Sequence, residues 1–273
     1  TGMRKRAEIE PIAELDPEEA ARDRNFVTAL ARGLEVLRAF RVGNQPMGNQ
    51  ELAEITGLPK PTVSRLTYTL TRLGYLSYNE RIGKYRLGSA VLTLGYSMLA
   101  GLTVRDIARP LLQEIADYSG VSAALGDRDR LNVLYVECCR ADTAVTLRLD
   151  VGSRIPIATS AIGRAFLAGL PEQERGFLME HIQRRSGAEW PKIKEGIMQA
   201  LDEVNARGFC TSIGEWTTGV NAVGVPLRRP SGGLMAINCG GPSFIVHRER
   251  IEKDIGPRLV RIAQQIEASL VRR

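Results

Sequence analysis

The sequence predicts two folds in one chain: a small, mainly α head and a larger α+β body with a largely antiparallel sheet. Two patterns carry this. Between residues 25 and 88, apolar stripes of helical period flank a short middle segment, and a hairpin pattern follows. Beyond residue 103, paired strand-like segments alternate with helical ones, as in an α+β domain. At 273 residues the chain is long enough for two domains, each with its own core. The expected boundaries are an acidic, disordered arm over 1–24, a head over 25–88, a linker helix over 89–102 and a body over 103–273.

The head begins with a helix in which Val27, Leu30, Leu34 and Leu37 form one face. Gly43-Asn44-Gln45-Pro46 ends it, and Asn49 is the expected N-cap of a short second helix, Gln50–Thr56. Gly57-Leu58-Pro59-Lys60 forms a tight turn, and Pro61 opens a third helix over 61–73. On that helix Val63, Leu66, Leu70 and Leu73 make the core stripe. Ser64, Arg65, Tyr68 and Arg72 take the opposite face. Two β-prone segments, Tyr75–Tyr78 and Lys84–Leu87, surround a Gly83 turn. The sum is an N-terminal winged helix-turn-helix.

The body reads as a helix over 103–118 containing Pro110, then strands at 121–125, 131–137 and 144–149. Helices at 160–170, 172–182 and 191–206 follow, then strands at 209–213, 220–227 and 233–238. The last helix carries Ile251, Ile255, Leu259, Ile262, Ile266 and Leu270, interrupted at Gly256-Pro257. Between head and body, the 89–101 helix is apolar over most of its circumference. A helix of that kind is covered on two sides, which predicts a homodimer interface.

Charge separates the two parts. The whole chain carries 37 Lys and Arg against 31 Asp and Glu, a net charge of +6. Residues 1–23 are net −3, residues 24–90 net +6 and residues 91–273 net +3. A nucleic-acid-binding module joined to a near-neutral domain has this footprint, although charge alone does not distinguish it from chance clustering on a solvated face. With 44% hydrophobic and 5% aromatic residues, disordered and fibrous classes are excluded. No apolar run reaches the ~20 residues of a membrane span, and no signal peptide is seen after the leading Thr1-Gly2, so a cytoplasmic protein without membrane contact is expected.

Enzyme signatures are missing. His181 and His247 stand alone in charged helical contexts, and there is no P-loop, H-E-x-x-H, G-x-S-x-G or G-x-G-x-x-G in a strand-to-helix setting. Cys138-Cys139, Cys210 and Cys239 have no metal or disulfide spacing and suit reduced core residues. No cofactor is expected. A regulatory enzyme with an appended DNA-binding head and a non-specific DNA-binding protein stay open beside a ligand-responsive regulator.

The segments Phe26–Leu37 (FVTALARGLEVL) and Thr56–Leu66 (TGLPKPTVSRL), with Leu73-Gly74-Tyr75-Leu76, resemble IclR-family transcriptional regulators. Thr159–Ala168 (TSAIGRAFLA), Arg207-Gly208-Phe209, Gly219–Pro226 (GVNAVGVP) and Ala236–Pro242 (AINCGGP) extend the resemblance in order along residues 25–270. It implies a winged-helix head, a linker helix and a GAF-like effector domain. It further implies homodimers or dimers of dimers on palindromic double-stranded DNA operators, and a small organic effector.

The resemblance implies an effector site at Ser160, Ala161, Ile162, Gly163, Ser212, Ala222, Asn238 and Gly240. Ser212, Ala222 and Gly240 replace polar or thiol groups of other members, which implies a less polar pocket. The similarity of Arg24–Phe40 to regulators of β-ketoadipate-pathway catabolism points to an aromatic acid. Ser160–Gly163 also lies at a predicted helix start, where free N–H groups favour a carboxylate, though a plain structural cap would need the same Ser160. Lys60, Thr62, Ser64, Arg65 and Tyr68 are the candidates for bases and adjacent phosphates. Thr62 has an equal claim as a capping or packing residue, whereas for Arg65 a DNA contact is favoured over an internal carboxylate partner. Arg72, Arg81, Lys84 and Arg86 are the expected phosphate contacts.

Overall fold

The computed structural model describes residues 23–41, 43, 45–142, 149–230 and 232–272. The expected arm and most of the expected 144–149 strand lie outside these residues. The described chain divides into two compact units, meeting in sequence at Leu102/Thr103.

The first unit is a winged helix-turn-helix: α1 (Thr28–Arg38), α2 (Asn49–Thr56), α3 (Lys60–Arg72), β1 (Leu76–Asn79), β2 (Lys84–Leu87) and α4 (Ser89–Ala100). Val36, Ala39, Met47, Leu52, Val63 and Leu76 form its core. The α1 stripe faces the other way from the sequence expectation. Gly33 and Val36 are buried, while Val27, Leu30 and Leu34 are exposed. Gly33 allows this, since a Cβ there would sit in ordinary contact with Leu66 at 3.8 Å, so α3 approaches the glycine face.

Asn49 is not the N-cap. Gly48 takes that position, and Glu51 reaches back to accept from Gly48 N at 2.5 Å. Asn49 Oδ1 instead accepts from the buried Thr67 Oγ1 at 3.0 Å, joining α2 to α3. The wing is fastened similarly: Lys84 Nζ lies 2.7 Å from Glu51 Oε1, and Met47 forms a β-bridge with Tyr85. The α4 helix has no buried residue within the single chain. Leu92, Leu94, Tyr96 and Met98 are all exposed.

The second unit contains α5 (Thr103–Ser119), β3 (Ser122–Asp129), β4 (Asn132–Arg140), β5 (Arg154–Pro156), α6 (Ala161–Gly169), α7 (Glu172–Ser186), α8 (Trp190–Arg207), β6 (Cys210–Ile213), β7 (Val220–Arg228), β8 (Leu234–Pro242), α9 (Arg248–Arg250) and α10 (Gly256–Val271). Its six strands run β5-β4-β3-β8-β7-β6, with every pairing antiparallel. Pro110 stays inside α5 without ending it. The expected break at Gly256-Pro257 is a π turn, Ile251–Ile255, which takes up the missing proline N–H at the start of α10.

Side chains alternate across this sheet. The paired Ala123, Cys139 and Cys239 face α5: Cys139 Sγ is 3.5 Å from Arg109 O, and Cys239 Sγ 3.3 Å from Ser119 Oγ. Ala124 and Asn238 pair on the other face, where α6 lies. Gly224 permits that approach, because a Cβ there would stand 2.2 Å from Ala161 O.

Candidate functional site

Two sites emerge, one in each unit, and they differ in how they treat charge. In the head, α3 presents Lys60, Ser64, Arg65, Tyr68 and Arg72 to solvent, with Thr62 half-buried. Tyr68 is 65% exposed, an unusual position for a large aromatic side chain without a partner. Arg65, Arg72, Arg81 and Arg86 make no side-chain hydrogen bond or ion pair among the described residues. All four are exposed, Arg65 and Arg72 on the helix and Arg81 and Arg86 on the wing. Lys60 contacts Gln50 Oε1 at 3.3 Å, and Lys84 is engaged by Glu51. The Gly48 N–H, and after it the Lys84 ammonium, hold the Glu51 carboxyl below the usual carboxylate range.

In the body, the start of α6 sits over the sheet beside a partly open cavity. Its floor is a row of small residues running across four neighbouring strands. Ser212 pairs with Ala222, Ala222 with Gly240, and Gly240 with Ser122. A Cβ on Gly240 would lie 2.5 Å from that of Ala222, so the row is as shallow as side chains allow. Ala124 and Asn238 form the next row, and Tyr135, Leu149, Ile155, Trp216 and Val220 complete the walls with Ser160 and Ala161.

Six of the eight residues expected at the effector site therefore line one cavity: Ser160, Ala161, Ser212, Ala222, Asn238 and Gly240. Ile162 and Gly163 do not. The turn of α6 carries Ile162 into the core beside Ala165, and seats Gly163 against Ile157, whose carbonyl oxygen would lie 2.3 Å from a Cβ there. Sequence reasoning missed Ser122, Ala124, Tyr135, Leu149, Ile155 and Val220. Strand alternation was signal enough for Ser122 and Ala124, once β3 is paired with β8. Trp216 lies between β6 and β7. It is a wall of the cavity.

The cavity has an apolar body and a few directed polar groups. No charged residue is among its lining residues. Ser160 Oγ accepts from Gly163 N at 3.1 Å and donates to Pro156 O at 2.6 Å, so it is a helix cap. Ser212 Oγ donates to Thr159 O at 2.8 Å. At the start of α6 the N–H groups of Ala161 and Ile162 have no intrahelical acceptor, and they give this end a partial positive charge. Asn238, 9% exposed, donates from Nδ2 to Tyr135 Oη at 2.9 Å, while its Oδ1 is buried without a partner. A buried acceptor left empty costs about 1–3 kcal/mol. Burial pushes the Tyr135 phenol up, and it stays protonated.

The Trp216 wall is held from behind. Arg164, 2% exposed, makes a bidentate pair with Glu215 at 2.8 and 2.6 Å and donates from Nε to Ala158 O at 3.0 Å. Gly196 leaves room for it, since a Cβ there would be 2.2 Å from Arg164 Nη2. On the opposite face of the sheet Glu137, 2% exposed, pairs with Arg105 at 2.8 Å and Arg109 at 2.9 Å. All four cysteines are free thiols, and burial raises Cys139 to about 11, Cys210 to about 12 and Cys239 to about 11. None is a poised nucleophile. No His, Cys, Asp and Glu cluster suited to a metal occurs among the described residues. No described helix is long and apolar enough to cross a membrane.

Known proteins resemble both units. A family model described as the IclR helix-turn-helix domain matches residues 29–80. A second, the bacterial transcriptional regulator IclR C-terminal domain, matches residues 96–268. The HTH-type transcriptional regulator TsaQ1/TsaQ2 of Comamonas testosteroni is 35% identical over 250 residues, 90% of this chain and 89% of that protein. The Pca regulon regulatory protein of Pseudomonas putida is 27% identical over 247 residues, 89% of this chain and 84% of that protein. Among solved structures, an IclR-family transcriptional regulator from Brucella abortus is 49% identical with a TM-score of 0.85, covering 94% of this chain and 97% of that one. With a matching head, a matching body and full-length relatives, the chain belongs to the IclR family of bacterial transcriptional regulators.

Proposed function

We propose that this regulator acts on a catabolic operon in the cytoplasm, and that a small aromatic acid held in the body cavity sets its affinity for operator DNA. The observation that carries this is the cavity itself: uncharged and apolar-walled, with helix N–H groups at one edge. Similarity to a Pca regulon regulatory protein, and the resemblance of Arg24–Phe40 to β-ketoadipate-pathway regulators, support the aromatic class.

On the DNA side, Arg65, Ser64 and Tyr68, flanked by Lys60 and Thr62, enter the major groove. Arg72, Arg81, Lys84 and Arg86 hold phosphates. The exposed apolar residues of α4, with Leu92 at 73% and Tyr96 at 70%, close the homodimer that a palindromic operator requires. Dimers of dimers extend the same logic to paired operators.

Calorimetric titration with benzoate, its 4-hydroxy and 4-methyl derivatives, phenylacetate and short aliphatic acids tests the effector class. The expected result is binding of a ring acid that is lost in Ala222→Phe and shifts operator affinity at fixed salt. Failure of every ring acid to bind overturns the aromatic class.

A further inference from the structure

One polar pair lining the cavity, Asn238 and Tyr135, specifies more than an organic acid. We infer that the effector carries a hydroxyl, bound between the Asn238 side-chain amide and the Tyr135 phenol; this rests on the cavity being the effector site. Asn238 Nδ2 donates to Tyr135 Oη at 2.9 Å, and no described group accepts the phenol proton. Asn238 Oδ1 is buried and has no donor. The pair therefore offers the cavity one donor, the phenol O–H, and one acceptor, the amide oxygen. Turning the amide over exchanges the roles, with the amide N–H free to donate and the phenol oxygen free to accept, and leaves the same complement.

Few groups match both. A carboxylate only accepts and leaves Asn238 Oδ1 without a donor. An ammonium only donates and leaves the phenol proton unused. A hydroxyl does both at one atom. The phenol stays neutral because burial raises it far above its usual range, so its proton is available to the ligand. No Lys, Arg or His lines the cavity to favour an anion at this point. The N–H groups at the start of α6 supply the separate place for an acid group.

The test uses matched pairs on the full-length protein: benzoate with 3- and 4-hydroxybenzoate, and phenylacetate with its 3- and 4-hydroxy forms. In at least one pair the hydroxylated acid binds about 10- to 100-fold tighter. The double variant Tyr135→Phe/Asn238→Leu removes both partners together. It is expected to lose that preference, so that the two members of each pair bind alike, and to melt no lower than the parent. A purely structural hydrogen bond would show as a lower melting temperature instead. Tyr135→Phe alone, which deletes a single oxygen, is expected to lose the preference as well.

The outcomes separate the two levels. Unhydroxylated acids that bind equally well, and are blocked by Ala222→Phe, overturn the hydroxyl assignment and leave the cavity standing. A hydroxyl preference that survives in both variants does the same. No binding by any acid overturns both.

Discussion

Arginine does opposite work in the two halves of this molecule. In the head, Arg65, Arg72, Arg81 and Arg86 project into water with no protein partner among the described residues. In the body, Arg164 is 2% exposed and spends its guanidinium on Glu215 and Ala158, while Arg105 and Arg109 close on the buried Glu137. A charge left solvated is available to an outside partner of opposite sign. A charge already paired and desolvated shapes the fold around it, and losing its partner is expensive. Formal charge therefore points to the surface proposed to read DNA only where the structure leaves it unspent.

The largest expected effect tests the buried side of that contrast. Glu215→Ala strands Arg164 and should lower the stability of the body by about 3 kcal/mol in urea unfolding. Arg72→Ala should change stability by less than about 0.5 kcal/mol. Equal, small changes in both would mean that Arg164 is re-solvated and the contrast is false. Next in size, Arg65→Ala should cost about 1–3 kcal/mol of operator affinity with an unchanged melting temperature. Ser64→Ala and Tyr68→Ala should alter which operator is preferred. Uniform loss on all DNA would assign them to phosphates instead.

The apolar surface of α4 gives a third test. Leu94→Glu/Met98→Glu should give monomers by light scattering, and an intact dimer would place the interface elsewhere. The wing gives a finer one. Arg86→Ala should flatten the salt dependence of binding by about one phosphate contact. Lys84→Ala should flatten it less, because Glu51 already holds that ammonium at 2.7 Å, and should also loosen the wing.

The smallest effect is in pH. The Glu51 carboxyl is held below its ordinary 4.5 by the Gly48 N–H and then Lys84, so it is charged in the fold where the unfolded chain begins to protonate. Its contribution is complete above that ordinary value and is lost as pH falls through the lower, folded value. The melting-temperature gap between the parent and Glu51→Gln should be present at pH 7 and close in acid below about pH 4. A gap that persists there would show that the carboxylate's charge is not what matters.

Much of the fold could be read from local pattern. Helix, short helix, turn and basic helix followed in order because an apolar period and a Pro or Gly at each end are properties of adjacent residues. For the same reason the charge partition located the DNA-reading unit. Caps were less legible. Asn49 looks like an N-cap by type, yet Gly48 serves, because Glu51 closes the turn from the other side and frees Asn49 for Thr67. In the cavity, Ser160 stood out as a hydroxyl at a helix start and Ser212 through the family resemblance, whereas Ser122 and Ala124 acquire meaning only as the partners of Gly240 and Asn238.

What the sequence determined by itself was the list of elements, the division into a basic head and a near-neutral body, and the absence of catalytic motifs. The tertiary structure decided which faces meet. On β4, alternation puts Tyr135 and Glu137 on the same side. In the fold they face opposite sides, because the register slips between Leu125 and Gly126 and leaves Val136 as an extra residue. That single bulge sends the phenol into the cavity and the carboxylate to Arg105 and Arg109. On α1, the glycine face rather than the leucine stripe meets α3. Periodicity is a property of one strand or helix, but the side that is buried depends on a partner far along the chain, and only packing chooses that partner.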